Sequence, residues 1–238
     1  LNAGLRYDAL EPYGDSDVSP RTALILKPLE GSVLKLIYGE AFRAPNAYER
    51  FYDDGGATMK ANPSLSPETI RSYEGVWEQR IVERFQLNTS LYRYEIKNLI
   101  AQGVDPADGL LQYQNLDAAK ARGGEVEGRA TLPGELEVRG SYAYSEAEDA
   151  DTGDRLSNSP KHLAKLTLQA PVVPRWLTAG IEAQYVSDRL TVQRDEAEDY
   201  TVVNATLLTR RLARNLDVSL SVYNLFDKDY AQPVGEEI

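Results

Sequence analysis

Apolar and polar side chains alternate along much of this chain. Over residues 135–144, Leu136, Val138, Gly140, Tyr142 and Tyr144 hold one parity, and Glu135, Glu137, Arg139, Ser141 and Ala143 hold the other. Over 215–226, Leu216, Val218, Leu220 and Val222 alternate with Asp217, Ser219, Ser221 and Tyr223. Residues two apart share one face of a strand, whereas a helix brings apolar residues back after three or four. The pattern therefore predicts strands with one oily and one wet face. It predicts about eleven of them, at 1–8, 20–28, 32–42, 69–81, 85–101, 111–132, 135–148, 161–172, 176–192, 200–212 and 215–226.

Two kinds of connection alternate between these strands. Short turns fall at Pro28-Leu29-Glu30-Gly31, Val82-Glu83-Arg84, Leu132-Pro133-Gly134, Val173-Pro174-Arg175 and Ala213-Arg214-Asn215. Long polar loops fall near 8–19, 43–68, 102–112, 145–160 and 188–199. In an up-and-down antiparallel sheet this places every short turn at one end and every long loop at the other. The largest excursion leaves at Ala44-Pro45 and returns through Asn62-Pro63 and Ser66-Pro67. The residue before each proline is pushed out of the helical region, and Asn62 and Ser66 can cap the turns with their side chains. One helical turn is expected inside it, with Pro45 at its first position, Tyr48 and Tyr52 four apart, and Gly55-Gly56 ending it.

Several of these strands exceed the ~5–6 residues usual in soluble sheets. No apolar run approaches the ~20 residues of a membrane-spanning helix, but a membrane barrel needs only ~10 alternating residues per strand. The expected fold is all-β, an antiparallel up-and-down transmembrane barrel, with Leu220 facing lipid and Ser219 the lumen. Tyrosine outnumbers the other aromatics, 15 against Phe 4 and Trp 2, which suits a boundary where one end of the ring is dry and the other wet. Charge sorts by end as well. The long loops carry Asp8, Glu11, Asp15, Asp17, Asp53, Asp54, Glu146, Glu148, Asp149, Asp151, Asp154, Asp195, Glu196, Glu198 and Asp199, and the short-turn end carries Lys27, Arg84, Arg175, Arg210, Arg211 and Arg214.

The net charge of −11 argues against nucleic acid as a partner. There is no cysteine, hence no disulfide or thiolate metal site, and His162 is the single histidine, which excludes a catalytic triad or multi-histidine metal site. No catalytic constellation and no cofactor site is read in the chain, so an enzyme is not expected. Residues 148–154 open like a calcium loop, with acids at alternate positions, but lack the distal bidentate glutamate and read as a solvated turn. Gly55-Gly56 and Gly123-Gly124 are not phosphate loops, since neither joins a buried strand to a helix with a following lysine.

Three segments carry a family resemblance. YGEAFRAP at 38–45, NPSLSPETIRSYE at 62–74 and YNLFDKDYAQPVG at 223–235 resemble, in that order, the barrel of TonB-dependent outer-membrane receptors. Ser19-Pro20-Arg21 and the Asn115…Gly124-Glu125 spacing are lesser echoes. The resemblance implies that 1–238 is the C-terminal part of a barrel of about 22 strands, with the plug domain and the final strand absent. It implies an outer-membrane receptor importing a ferric siderophore or similar iron chelate, energised by the TonB protein through an N-terminal region. The other partners implied are outer-membrane lipid and lipopolysaccharide. A passive porin-like or adhesin-like barrel is the alternative, against which these motifs count. Haem receptors of this family often carry a histidine in the loop between the first two segments, and residues 46–61 have none. Recognition is expected on the long-loop side, at 43–61 and 145–158, with Arg43, Tyr48, Tyr52 and Asp53 as candidate ligand contacts and Met59 as a further residue able to face a ligand.

Overall fold

A computed structural model describes all residues except 11–14, 117, 192–193, 214–215 and 233–238. Its elements are β1 (Asn2–Leu10), β2 (Asp15–Leu26), β3 (Ser32–Arg43), α1 (Ala47–Phe51), β4 (Glu68–Val82), β5 (Phe85–Lys97), β6 (Leu99–Val104), β7 (Leu111–Leu116), β8 (Ala119–Leu132), β9 (Leu136–Asp149), β10 (His162–Val173), β11 (Leu177–Val186), β12 (Arg189–Leu190), β13 (Glu196–Ala197), β14 (Tyr200–Ala213) and β15 (Leu216–Val222). Eleven strands make one sheet in the order β1-β2-β3-β4-β5-β8-β9-β10-β11-β14-β15, each antiparallel to its neighbours. Among the described residues the sheet is open, with β1 and β15 as its two edges. The up-and-down antiparallel wall is the one the alternation predicts.

Residues opposite one another in an antiparallel ladder share a face, so the register follows one face across the whole wall. Leu5 lies opposite Pro20, Leu24 opposite Leu36, Leu36 opposite Gly75, Gly75 opposite Leu91 and Leu91 opposite Gly124. The same face continues through Val126–Tyr142, Gly140–Leu166, Leu166–Ala183, Ile181–Ala205 and Leu207–Leu220. Leu5, Leu36, Leu91, Leu166, Ile181 and Leu220 are 45–74% exposed. A continuous apolar surface of this extent needs a hydrophobic solvent. The opposite face is wet. It carries the ion pairs Lys35–Glu78, Arg129–Glu137 (3.5 Å) and Arg139–Glu127 (3.8 Å), and the Asn204 amide donates to Glu182 at 3.1 Å.

The oily band ends in aromatics at both edges. Tyr7, Tyr38, Tyr73, Tyr142, Tyr144 and Tyr185 share its face towards the long-loop end. Trp77 lies near the short-turn end, where its indole N–H donates to Ser32 Oγ at 2.9 Å, and Trp176 stands in a short turn. From Leu136 to Tyr144 is about 26 Å along the strand, of the order of the apolar band of an outer-membrane barrel. No described helix is long and apolar enough to cross a membrane; the strands do the crossing.

Several boundaries differ from expectation. The strand expected at 85–101 stops at Lys97, because Asn98 takes a positive φ of 55° and turns the chain into β6. The strand expected at 111–132 divides into β7 and β8, and the loop expected at 102–112 is the outer part of the β6–β7 hairpin. The strand expected at 176–192 leaves the wall after Val186, and the one at 215–226 after Val222. Most of the loop expected at 8–19 is strand. Above the membrane nothing demands an oily face, so polar residues continue the ladder there without leaving a hydrophobic signature. The turn at Ala213-Arg214-Asn215, the Glu11 position and Pro233-Val234-Gly235 of the third family segment lie, in whole or part, outside the described residues, as do the side chains of Arg210 and Arg211. Gly31 has φ +72°, and a Cβ there would come within 2.5 Å of the Arg80 carbonyl oxygen, so this turn requires glycine.

Among the described residues, the buried apolar ones lie at the long-loop ends of the wall strands or beyond them, not in the oily band. Met59, Leu65, Ile100 and Ala119 are buried at the long-loop end, as are Val186 and Tyr200. Packing in the ordinary sense begins where the strands leave the membrane.

Candidate functional site

The 43–68 excursion and the β6–β7 hairpin are stitched into one platform above the wall. Its foot is Arg43, whose guanidinium grips Glu68, its partner across the ladder, at 2.7 and 2.8 Å, and Glu49 at 3.0 Å. Glu68 also accepts the Ile100 N–H at 2.7 Å, which ties the base of β6 to the same point. Arg43 is thus engaged by two carboxylates within the platform.

The helix starts two residues later than expected, at Ala47. Asn46 is its N-cap and Pro45 precedes it; Asn46 Oδ1 accepts the Glu49 N–H at 2.9 Å, and Glu49 returns the bond to the Asn46 N–H at 2.8 Å. The helix ends on Tyr52 in an extended conformation, and Gly55-Gly56 belong to the next turn instead. The four-residue spacing stacks Tyr48 on Tyr52, with ring centroids 4.4 Å apart, and Tyr113 of β7 meets Tyr48 edge-on at 6.1 Å. Tyr48, Phe51 and Tyr52 remain exposed, forming an aromatic surface on a capped helix. Asp53 follows, its carboxylate accepting the Gly55 N–H at 2.7 Å.

The return limb pairs with the hairpin. Met59 bridges Leu111, with Lys60 N–H to Leu111 O at 3.0 Å and Leu111 N–H to Thr58 O at 2.9 Å. Asn62 donates to the Tyr113 carbonyl at 2.7 Å and accepts from Ser64, and Gln112 donates to the Ala61 carbonyl at 2.8 Å. Asn115 closes the seam: it accepts the Ser66 N–H at 2.8 Å and donates to Ser66 O at 2.8 Å and Asn98 O at 2.9 Å. The capping expected of Asn62 is present, and Ser66 is held through its backbone. Buried Met59 lies inside this seam.

Charge ties the outer rim. Lys60 pairs with Asp105 and Asp108 at 2.5 and 2.7 Å, which raises its own pKa and lowers both of theirs. Asp54 is held down to about 2, first by the Thr58 hydroxyl and then by the N–H groups of Thr58, Met59 and Ala57. Carboxyls depressed on folding contribute stability above their unfolded pKa and lose it as pH falls through the folded value. The platform is therefore expected to stay intact from pH 7 to about 4 and to open between about 4 and 2. Pepsin cleavage within 54–60 and 103–110 should appear only across that lower interval; equal cutting at pH 4 and pH 2 would contradict it.

A second packed node serves the other loops. Buried Arg189 donates to Ala231 O at 3.0 Å and lies 5.5 Å from the Tyr200 ring, on which Tyr230 stacks at 4.4 Å. Asn224 ends the β15 ladder with φ 50°, its side chain closing on Lys228 at 2.9 and 3.0 Å and its N–H reaching Asn204. The third family segment is thus a strand end and its anchor. In 145–158, Asp149 accepts the N–H groups of Asp151 and Thr152, so the alternating acids build a turn. Of the candidate residues, Arg43, Tyr48, Tyr52 and Asp53 come together on the first platform. Tyr113 and Asn115 complete it, of which Tyr113 carried no signal beyond an apolar-polar alternation.

Comparison with known proteins agrees with this architecture. The family model described as TonB dependent receptor-like, beta-barrel, matches residues 1–225. Heme/hemopexin utilization protein C of Haemophilus influenzae (strain 86-028NP) is 27% identical over 97% of this chain and 38% of its own length. The metal-pseudopaline receptor CntO of Pseudomonas aeruginosa is 32% identical over 78% of this chain and 27% of its own length. A crystal structure of the ferric enterobactin receptor of Pseudomonas aeruginosa (mutant G324V) superposes with a TM-score of 0.81 at 23% identity, over 95% of this chain and 37% of that one. The chain thus spans less than two fifths of the length of each. An oily-faced antiparallel wall, aromatic at both edges and matched to the family model over nearly its whole length, makes the chain part of an outer-membrane β-barrel of the TonB-dependent receptor family.

Proposed function

We propose that the whole protein imports a scarce iron chelate, of the ferric siderophore type, across the outer membrane, with energy delivered by TonB through a region N-terminal to the barrel. Residues 1–238 form the C-terminal part of that barrel in this reading, and a plug domain and a final strand complete it. The observation that carries the proposal is the pairing of a family barrel wall with a rigid recognition platform on its long-loop end. A passive pore has no need of a braced aromatic surface above its mouth.

Tyr48 and Tyr52 are the proposed ligand contacts, because stacked exposed rings present a flat surface to an aromatic or planar chelate at small entropic cost. Asp53 borders them. Arg43 orients the helix through Glu49 and acts on the ligand at one remove. The relatives act on different cargoes, a haem–haemopexin system, a metal–pseudopaline complex and ferric enterobactin by their names, so the cargo class here is a metal chelate.

The test is uptake of radiolabelled ferric enterobactin, haem and a metal–pseudopaline complex by cells carrying the intact gene, with and without a protonophore. Uptake of one of these that stops when the inner-membrane gradient collapses is the expected result. Uptake indifferent to the gradient would indicate a pore. Replacing Tyr48→Ala together with Tyr52→Ala should weaken binding of the accepted chelate about tenfold or more; unchanged affinity would remove these residues from the contact surface.

A further inference from the structure

The exposed tyrosines of the first platform stand in negative surroundings. Residues 43–68 and 99–116 supply three cations, Arg43, Arg50 and Lys60, against six carboxylates. All three are engaged inside the platform. The guanidinium nitrogens of Arg43 donate to Glu49 and Glu68 at 2.7–3.0 Å. Arg50 is 4% exposed and donates to the Leu65 carbonyl at 2.8 Å. The Lys60 ammonium is shared between Asp105 and Asp108. Asp53 differs from them. It follows Tyr52 directly, is exposed, and accepts the Gly55 N–H at 2.7 Å, a bond that leaves its charge in place beside the rings.

The rest of the long-loop rim repeats the pattern. Residues 145–160 and 187–199 carry ten carboxylates against three arginines. Arg155 is held by Asp188 at 2.8 Å and by the Ser159 carbonyl at 3.1 Å. Arg189 is buried against the Ala231 carbonyl, and Arg194 donates to the Arg155 carbonyl at 2.7 Å. Lys228 lines a hollow with Glu196, Glu198, Asp199 and Asp229. The exposed Arg93 and Arg122 lie on the outward face of the wall, in line with Leu91 and Gly124, and turn away from the barrel mouth.

An aromatic surface set in this field discriminates by charge. Three catecholates, each a dianion, make the ferric complex a trianion, whereas three hydroxamates, each a monoanion, make it neutral. A trianion needs cations with donors to offer, as bidentate guanidiniums do for carboxylate and phosphate. Here those donors are already turned inward to the platform's own acceptors. Net negative charge remains around the rings, and at separations of about 5–10 Å its repulsion survives physiological salt. A neutral chelate escapes that repulsion and still gains the contact of two stacked rings. Resting on the transport reading above, we infer that the cargo is an iron chelate of little or no net negative charge, of the ferric tris-hydroxamate type. Asp53 is the residue beside the rings that turns tris-catecholates away. In this the chain departs from the ferric enterobactin receptor whose fold it shares.

Equilibrium binding to the intact, detergent-purified protein tests this, with ferrichrome as the neutral tris-hydroxamate and ferric enterobactin as the tris-catecholate. Ferrichrome should bind at least about tenfold more tightly at low ionic strength. Raising salt from about 0.05 to 0.5 M should strengthen enterobactin binding and leave ferrichrome binding in place, because screening removes the repulsion alone. Asp53→Asn keeps an acceptor for the Gly55 N–H and should narrow the gap about two- to threefold. Heat-dependent gel mobility reports whether that variant is folded. Equal or tighter binding of ferric enterobactin, a gap that salt does not move, or binding of neither probe overturns the inference, and an unchanged gap in folded Asp53→Asn overturns the part given to Asp53. Uptake by cells keeps the two readings apart. Gradient-driven uptake of ferric enterobactin refutes the charge preference alone, whereas chelate entry indifferent to the gradient refutes active transport and leaves the binding preference standing.

Discussion

Leu166→Arg will cripple insertion of this wall, while Thr167→Arg, one residue on, will be tolerated. Leu166 lies opposite Gly140, midway between Leu136 and Tyr144, which bound the oily band, and beside Ala183. Its side chain leans over Gly140, where an added Cβ would stand 3.8 Å from Leu166 Cδ1, and it is 45% exposed. A guanidinium there meets hydrocarbon near the bilayer centre at a cost of about 2–4 kcal/mol. Thr167 faces the lumen beside Arg139 and Glu182, where charge is already accommodated and the cost should fall below about 1 kcal/mol. Refolding of the intact protein into lipid vesicles, followed by gel mobility across a denaturant series, measures both. Equal effects would mean the two faces are assigned the wrong way round.

Asn115→Ala will loosen the loop platform without touching the wall. The Asn115 side chain makes three hydrogen bonds, two to Ser66 and one to the Asn98 carbonyl. At about 0.5–1.5 kcal/mol each, their loss costs roughly 2–3 kcal/mol locally. The seam between 58–66 and β7 should then open, raising amide exchange there by one to two orders of magnitude, because about 1.4 kcal/mol is a factor of ten. Exchange in β8–β11 should not change, since no bond from Asn115 reaches those strands. If Tyr48 and Tyr52 contact the chelate, affinity falls with the seam. Unchanged exchange at 58–66 would show that the Met59–Leu111 bridge holds the platform unaided.

Both variants bear on how far the chain could be read in advance. The Leu136–Tyr144 and Leu216–Val222 alternations are direct consequences of a wall between lipid and water, because each side chain must answer to its own solvent. Where that constraint stops, the pattern stops. The upper ends of β1 and β2 and the outer half of β6 lie beyond the oily band and read as loop, while β7 read as one strand with β8, because nothing in the pattern marks where the ladder leaves the wall. Asn98 ends β5 with a positive φ that no periodicity announces. Asn62 and Ser66 showed themselves through the prolines that follow them, but their partners Tyr113 and Asn115 lie about fifty positions away. Spacing along a chain cannot reveal such pairings.

The sequence by itself determined the strand period, the two faces, the sorting of turns from loops and the family, since each is imposed locally by solvent or carried by a contiguous motif. Only the tertiary structure decided that two long loops join into one braced platform, that Arg43 is held between Glu49 and Glu68, and that the platform's cations are engaged within it. Those arrangements depend on which strands lie side by side and in what register, and register is a property of the assembled ladder.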